Sequence, residues 1–270
     1  MRKALELDED QIVKDYQGGM SMKSIGLSLG ISLTPIERVL KAKGIISKPK
    51  GMYRSCTLNE YFFEIVDTEA KAYWLGFMYA DGYNSEKYGS IQITLMEDDK
   101  YILEQFKKDL GYSGNLHLSW SGQKSSYIDG RELNAKPRWG LSISSRRLSE
   151  DLKRHGCMQA KSKILQFPEV AVPKELAHHF IRGYFDGDGS ICIHKKEKFK
   201  SFMLYGNLDF LIGTQVSLVK GAGLRYTKIV PKTGVSMLSY GGTLQIDRIF
   251  NYLYKDATIY LTRKYNKFLE

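Results

Sequence analysis

The sequence predicts an α+β protein in which a small all-α domain precedes two pseudo-symmetric αββαββα units. Three features carry this expectation. A glycine-marked stretch occurs twice, segments of alternating polarity follow each copy between helical segments, and three short helical segments with a glycine turn open the chain. We expect two antiparallel sheets, each with one bare face, to form a saddle. The expected boundaries are a helical domain at 1–46, a basic linker and lead-in at 47–69, and repeats at 70–168 and 169–270.

The repeated stretch is an apolar run with helical spacing that ends in Asp-Gly. Residues 72–82 read AYWLGFMYADG, and residues 180–189 read FIRGYFDGDG. Positions i and i+4 share one helix face, and small side chains there let two helices approach closely. The small residues expected at this helix interface are Gly76, Ala80, Gly183 and Gly187.

The packing of these two helices would bring Asp81 beside Asp188. Two close carboxylates repel each other unless one is protonated or a cation lies between them. A divalent metal site follows as the hypothesis, with the carbonyl groups of Ala80 and Gly187 as further ligands. Two ordinary buried helices, each ended by a glycine and a turn aspartate, are the alternative, and the duplication disfavours it.

These stretches resemble the signature of the LAGLIDADG homing endonucleases, here Trp74–Gly82 and Ile181–Gly189, and the resemblance extends over residues 57–270. Tyr79 departs from the family, which often has an acid there, as Asp186 does in the second copy. The resemblance implies a monomeric, site-specific endonuclease that cuts both strands of a long double-stranded DNA site across the minor groove. It also implies Mg²⁺ as cofactor, with Mn²⁺ able to substitute and Ca²⁺ able to bind without supporting cleavage.

The resemblance assigns catalytic roles to four residues. It makes the last acid of each motif, Asp81 and Asp188, a metal ligand. A lysine late in each repeat lies near the scissile phosphate in that family, and Lys161 and Lys264 hold comparable positions here. Such a lysine would orient water or stabilise the pentacovalent phosphate. A solvated surface lysine remains an equal alternative for each.

Composition favours a polyanionic partner. Forty Lys and Arg against thirty Asp and Glu give a net charge of +10 and a pI near 9.3. The three cysteines, without C-x-x-C spacing, indicate reduced thiols and argue against zinc. No signal peptide and no membrane-length apolar run is expected, so the protein is assigned to the cytoplasm of a bacterial or phage-infected cell, or to an organelle.

The first 46 residues resemble the helix-turn-helix of resolvases and phage regulators. Helices are expected at 8–17, 21–29 and 33–43, with Gly26, Gly30 and Ile36 as small, turn and core residues. The residues expected to face DNA from the third helix are Thr34, Glu37, Arg38 and Lys41, and those expected to follow a phosphate backbone from the linker are Lys48, Lys50 and Arg54. A three-helix packing domain without DNA contact is the alternative.

Each repeat is expected to place a polar and basic sheet face toward DNA. Strands are expected at 90–95, 115–120, 138–144, 190–194, 202–205, 224–230 and 235–240. The candidate DNA contacts on them are Gln92, Thr94, His117, Arg138, His194, Arg225 and Lys228. Their assignment depends on strand register.

Two other functions stay open for this fold. The chain could be a DNA-binding regulator that does not cut, or an RNA maturase that assists intron splicing. Two adjacent carboxylates favour cleavage over a pure binder, which has no need of them. His178-His179 is expected to pack, because no third zinc ligand is suitably spaced. No P-loop, dinucleotide fingerprint or Ser or Cys nucleophile motif occurs.

Overall fold

The computed structural model describes residues 7–18, 20–45, 56–121, 125–128, 131–134, 136–159, 164–194 and 199–270, with the strand path alone described in 125–134. The chain divides into two compact units, 1–56 and 57–270. We call them the N-terminal unit and the main unit.

The N-terminal unit has three helices, as the sequence predicts: α1 (Glu9–Gln17), α2 (Met22–Leu29) and α3 (Leu33–Ala42). Asp8 caps α1 by accepting a hydrogen bond from the backbone N–H of Gln11 at 2.9 Å. Gly30 ends α2 with φ +65°, a conformation that favours glycine.

The turn between α2 and α3 is tight because Gly26 has no side chain. A Cβ at Gly26 would lie 2.9 Å from the carbonyl oxygen of Ile31 and close to the side chain of Ile36. The core of the unit consists of Ile12, Tyr16, Ile25, Ile36, Val39 and Leu40. Leu29, the last residue of α2, is 44% exposed.

The main unit contains two four-stranded antiparallel sheets and a short hairpin. Sheet 1 has the order β1-β2-β6-β3 and sheet 2 the order β7-β8-β10-β9. The strands are β1 (Tyr83–Ser85), β2 (Ser90–Met96), β3 (His117–Trp120), β4 (Ser125–Ile128), β5 (Arg131–Asn134), β6 (Arg138–Ser144), β7 (Gly189–His194), β8 (Phe199–Gly206), β9 (Val230–Lys232) and β10 (Val235–Gly241).

Helices lie between these strands in the order predicted for each repeat, and one further helix, at 262–269, was not predicted. They are α4 (Glu69–Ala80), α5 (Lys100–Asp109), α6 (Arg146–Arg154), α7 (Ala177–Asp188), α8 (Leu208–Ala222), α9 (Thr243–Tyr254) and α10 (Thr262–Leu269). The main core runs from the helix-facing side of sheet 1 through α4 and α7 to sheet 2. Strand alternation places Ile91, Ile93 and Leu95 inside and leaves Gln92 and Thr94 exposed.

The structure corrects one expected strand. Residues 224–229 form no strand, because the side chain of Gln215 donates to the carbonyl of Thr227 at 2.8 Å and ladder pairing begins only at Val230. Between β3 and β6 the chain also forms the β4–β5 hairpin. Ser90, the first residue of β2, is buried.

Candidate functional site

The two motif helices, α4 and α7, touch through their backbones. A Cβ at Gly76 would lie 2.0 Å from the carbonyl oxygen of Phe180, and one at Gly183 would lie 2.0 Å from that of Tyr73. Any side chain larger than hydrogen would push the helices apart at both points. The repeated glycines therefore set the distance between the two helices.

The contact continues to the helix ends and brings the motif acids together. A Cβ at Gly187 would lie 2.2 Å from that of Ala80 and 3.3 Å from Oδ2 of Asp81. Gly187 immediately precedes Asp188 in the chain, so the Asp81 carboxylate lies beside the residue before the second acid. Asp81 follows the last turn of α4, Asp188 is the last residue of α7, and both are exposed.

The charges of Asp81 and Asp188 act on the same two neighbouring groups. Burial, followed by the charges of Asp188 and Asp81, raises the pKa of the Tyr184 hydroxyl well above its usual range. Burial lowers the pKa of Lys264 to about 8, while Asp186, Asp81 and Asp188 oppose that change. The two carboxylates thus form one electrostatic site with Tyr184 and Lys264 at its base.

Lys264 lies beneath this site rather than on the surface. It is only 5% exposed, and its three N–H groups share four carbonyl acceptors, those of Phe185, Asp186, Gly187 and Gly189, which lie 2.6, 2.6, 3.0 and 2.7 Å from Nζ. Carbonyl groups at a helix C-terminus lack intrahelical donors and attract a cation. Lys264 therefore caps α7 directly below Asp188, and the Gly187 carbonyl expected to bind metal already accepts one of its hydrogen bonds.

Sequence reasoning missed that two equivalent buried side-chain pairs between the motif helices have different residues. Oδ2 of Asp186 accepts hydrogen bonds from the Tyr73 hydroxyl at 2.9 Å and the Leu261 N–H at 2.8 Å, and burial raises the pKa of Asp186 to about 6. In the symmetric position, Tyr79 packs its ring against Phe180, with centroids 5.1 Å apart. The Asp186–Tyr73 pair on one side of the helix interface thus corresponds to the Tyr79–Phe180 pair on the other side.

The Tyr79 hydroxyl has its own acceptor, the carbonyl oxygen of His155. Tyr79 aligns with Asp186 in the repeat, and Phe180 aligns with Tyr73. Phenylalanine offers no donor to a carboxylate, so an acid at position 79 would be buried without the partner that Asp186 has. The replacement of the acid by Tyr79 is therefore accompanied by the replacement of its tyrosine partner by Phe180. A position-by-position alignment of the two motifs shows both changes.

Arg182, also missed, ties the C-terminal segment to both motif helices. It is fully buried, and its guanidinium donates to Glu69 Oε1 at 2.6 Å, to the carbonyl of Leu253 at 2.6 Å and to that of Ile259 at 2.9 Å. Glu69 also accepts from the backbone N–H of Thr258 at 2.7 Å. Because this segment leads into α10, the same contacts hold Lys264 in place.

His178 and His179 pack, as expected. Nδ1 of His179 lies 2.8 Å from the Arg182 guanidinium, and burial together with the Arg182 charge lowers the pKa of His179 to about 4. The ring centroids of the two histidines are 3.8 Å apart, and His178 also packs on Tyr252. His179 is therefore neutral and accepts a hydrogen bond from Arg182, which gives it a structural role.

The predicted DNA contacts of sheet 1 share its open face. Gln92, Thr94 and Arg138 are exposed there. The ring of His117 covers Gly140 on the same face, because a Cβ at Gly140 would lie 2.6 Å from its Nε2. These side chains form one polar surface.

The remaining predicted contacts are dispersed. In sheet 2, His194 stacks on Phe199 and its Nε2 lies 3.0 Å from the hydroxyl of Ser201. Arg225 and Lys228 are exposed but lie in the irregular segment before β9. The exposed residues on α3 include Thr34, Glu37, Arg38 and Lys41. The predicted residues outside the described part of the chain are Lys48, Lys50, Arg54 and Lys161.

The donor set suits a hard cation. Within the described residues, no group of three or more His, Cys, Asp or Glu is arranged to hold a metal. Mg²⁺ needs no such group, because proteins bind it through one or two carboxylates, with water and substrate phosphate oxygens as the other ligands. Asp81 and Asp188, whose charges act on the same two neighbouring groups, fit this pattern. Among the helices that the structure describes, none combines the length and apolarity needed to cross a membrane.

No protein-family model matches the chain, and no curated protein matches it in sequence. Solved structures similar to it are homing endonucleases. The LAGLIDADG meganuclease I-AabMI bound to uncleaved DNA matches at 12% identity and a TM-score of 0.47, covering 75% of this chain and 88% of its own. Mesophilic variants of the homing endonuclease I-DmoI match at 14% and 0.44, covering 73% and 95%.

A third similar structure is the LAGLIDADG homing endonuclease I-SmaMI bound to cleaved DNA. It matches at 12% identity and a TM-score of 0.44, covering 76% of this chain and 87% of its own. At these identities and TM-scores, the likeness assigns no substrate or chemistry to this chain. Both must come from the arrangement of its own residues.

Proposed function

We propose that the protein is a metal-dependent, site-specific endonuclease that hydrolyses phosphodiester bonds in both strands of double-stranded DNA. The observation that carries this proposal is that the touching ends of α4 and α7 place the Asp81 carboxylate beside Gly187, the residue before Asp188. Both carboxylates are exposed at the ends of helices whose backbones are in contact. They provide anionic oxygen ligands on the surface of a chain with a net charge of +10.

The two carboxylates would hold Mg²⁺ or Mn²⁺ against a scissile phosphate. A bound divalent cation lowers the pKa of water and neutralises charge that develops on the phosphate oxygens. Asp81 and Asp188 would each serve one DNA strand. The chain itself supplies rigidity, because the glycine contacts fix the helix distance and Lys264 fixes the end of α7.

The open faces of the two sheets would lie along the duplex. A two-stranded ribbon fits the major groove, and exposed side chains on strands can read base edges there. Gln92, Thr94 and Arg138 supply donors and acceptors from sheet 1. The N-terminal unit would add a second reader through the exposed side of α3.

Cleavage of a plasmid library in Mg²⁺ tests the chemistry. The parent should linearise molecules that carry its target. Asp81→Asn and Asp188→Asn should each leave at most a nick, and the double variant should leave supercoiled plasmid. Asp247→Asn, at an exposed position on α9, serves as the matched control and should cut like the parent. Full cleavage by either motif variant would contradict the assignment.

Salt-dependent binding tests the N-terminal unit. Arg38→Ala combined with Lys41→Ala should weaken binding and reduce the slope of log K against log salt by about 2, roughly one per lost phosphate contact. The cleavage rate of saturated complex should not change. Lys14→Ala, an exposed position on α1, is the control. An unchanged slope in the double variant would exclude α3 from the DNA interface.

A further inference from the structure

The open faces of the two sheets differ in chemistry. In sheet 1, the central rows pair Gln92 with Ser142 and Thr94 with Gly140, so hydrogen-bonding groups occupy the middle. In sheet 2, the equivalent rows pair Met203 with Ser239 and Tyr205 with Met237. Met203 and Tyr205 occur where sheet 1 has Gln92 and Thr94, and Met237 occurs where it has Gly140, while the fourth position is serine in both sheets.

Strand alternation shows that the sheet 2 residues share the open face. In β8, Phe202 and Leu204 are fully buried against the helices, so Met203 and Tyr205 face the other way, and both are partly exposed. The Tyr205 hydroxyl lies 3.7 Å from Sδ of Met203. In β10, Leu238 is buried and Met237 is partly exposed. We call Met203, Tyr205 and Met237 the methionine patch.

On the described residues of β7, β8 and β10, no charged side chain accompanies the methionine patch, and on β9 the exposed Lys232 shares its face, because it pairs with Val235. The one charged residue in β7, β8 and β10, Lys200, lies on the helix side and donates to the carbonyl of Phe268 at 2.5 Å. Ser190 and Ser239 flank Met203 on neighbouring strands. The centre of sheet 2 thus offers apolar contact bordered by small hydroxyl groups.

A DNA major groove presents one apolar group, the C5-methyl of thymine. The other base edges are hydrogen-bond donors and acceptors, and burying these against methionine without a partner costs free energy. We propose that the methionine patch recognises thymine methyl groups, an inference that rests on the proposed function. The target would then have one thymine-dependent half-site. The half-site under sheet 1 is read by hydrogen bonds instead.

Deoxyuridine substitution tests this proposal, because it removes the methyl group and keeps the hydrogen-bonding edge. A target is first selected from a duplex library, and the thymines of one half-site at a time are then replaced. In one half-site, each contacted methyl should contribute about fourfold to binding, the value of one buried methyl group. Replacement in the other half-site should change binding less than twofold.

Protein variants connect the effect to the methionine patch. Met203→Gln should abolish the difference between thymine and deoxyuridine at its position. Leu208→Gln, at an exposed position at the start of α8, is the control and should keep the full difference. Thermal melts of each variant establish that it is folded.

The possible failures are distinguishable. A selected target that is cut but tolerates deoxyuridine within twofold in both half-sites would overturn the methyl proposal alone. The same holds if Met203→Gln keeps the full difference between thymine and deoxyuridine. A protein that neither enriches nor cuts any duplex would overturn the proposed function and the methyl proposal together.

Discussion

Replacing Gly183 by alanine tests the packing that brings the two acids together. The added Cβ would lie 2.0 Å from the carbonyl oxygen of Tyr73 and 3.0 Å from the backbone nitrogen of Phe77. Both neighbours are helix backbone, so neither can rotate away as a side chain would. The helices must separate by roughly 1.4 Å to restore an ordinary contact of about 3.4 Å.

The cost of this separation sets the expected magnitude. Overpacking a well-packed core by one methyl group costs about 1–3 kcal/mol, and more where backbone must move. We expect about 3 kcal/mol for Gly183→Ala. For a domain of this size, each kcal/mol lowers the Tm by about 2–4 °C, so the Tm should fall by about 6–12 °C. Cleavage should fall as well, because Asp81 and Asp188 separate with the helices.

Thermal denaturation followed by circular dichroism measures the effect. Gly241→Ala is the matched control, because a Cβ there would meet nothing closer than 3.7 Å and its φ is not positive. The control should melt within about 2 °C of the parent, as surface substitutions usually do. If Gly183→Ala melts like Gly241→Ala, the direct backbone contact between α4 and α7 is wrong.

Three further predictions concern the surroundings of the site. Arg182→Met should lower the free energy of unfolding in urea by about 3–5 kcal/mol, because it leaves the Glu69 carboxylate without its arginine partner. Adding Glu69→Gln should recover part of that loss, and a loss below about 1 kcal/mol in the single variant would contradict this role of Arg182. The unfolded chain protonates His179 near pH 6.5 and the folded chain only near pH 4, so stability should fall as pH drops through this window. His179→Asn should flatten that dependence of Tm on pH, and an equal slope in both proteins would be the contrary result. Target DNA should slow iodoacetamide labelling of the exposed Cys192 on sheet 2, while the buried Cys157 stays unlabelled throughout; equal Cys192 rates with and without DNA would remove sheet 2 from the interface.

Local patterns in the sequence determine most of the fold. The glycine spacing predicts the α4–α7 contact, because only small residues at i and i+4 permit a backbone approach of this kind. The alternation from Ser90 to Leu95 predicts β2 and its inward side chains. The same rule fails at 224–229, where Leu224 to Thr227 alternate but the Gln215 side chain of α8 donates to the carbonyl of Thr227. The polarity pattern of a short segment contains no information about a hydrogen bond from a residue elsewhere in the chain.

The chemistry around the motif acids was only partly predictable. Asp81 and Asp188 follow from the duplication, whereas the depth of Lys264 depends on how α10 docks beneath α7. The Glu69–Arg182 pair joins residues far apart in the chain, and no spacing rule links them. A position-by-position comparison of the two motifs reveals one overlooked difference. Tyr73 aligns with Phe180 and Asp186 aligns with Tyr79, so both members of the buried pair change together.

Electron paramagnetic resonance of Mn²⁺ bound to the protein–DNA complex tests the central claim most directly. The complex formed by the parent should hold Mn²⁺ in excess of the amount bound by the same DNA alone. The complex formed by the Asp81→Asn, Asp188→Asn double variant should lose that excess while still binding DNA. Equal Mn²⁺ binding by both complexes would contradict a shared carboxylate site at the ends of α4 and α7.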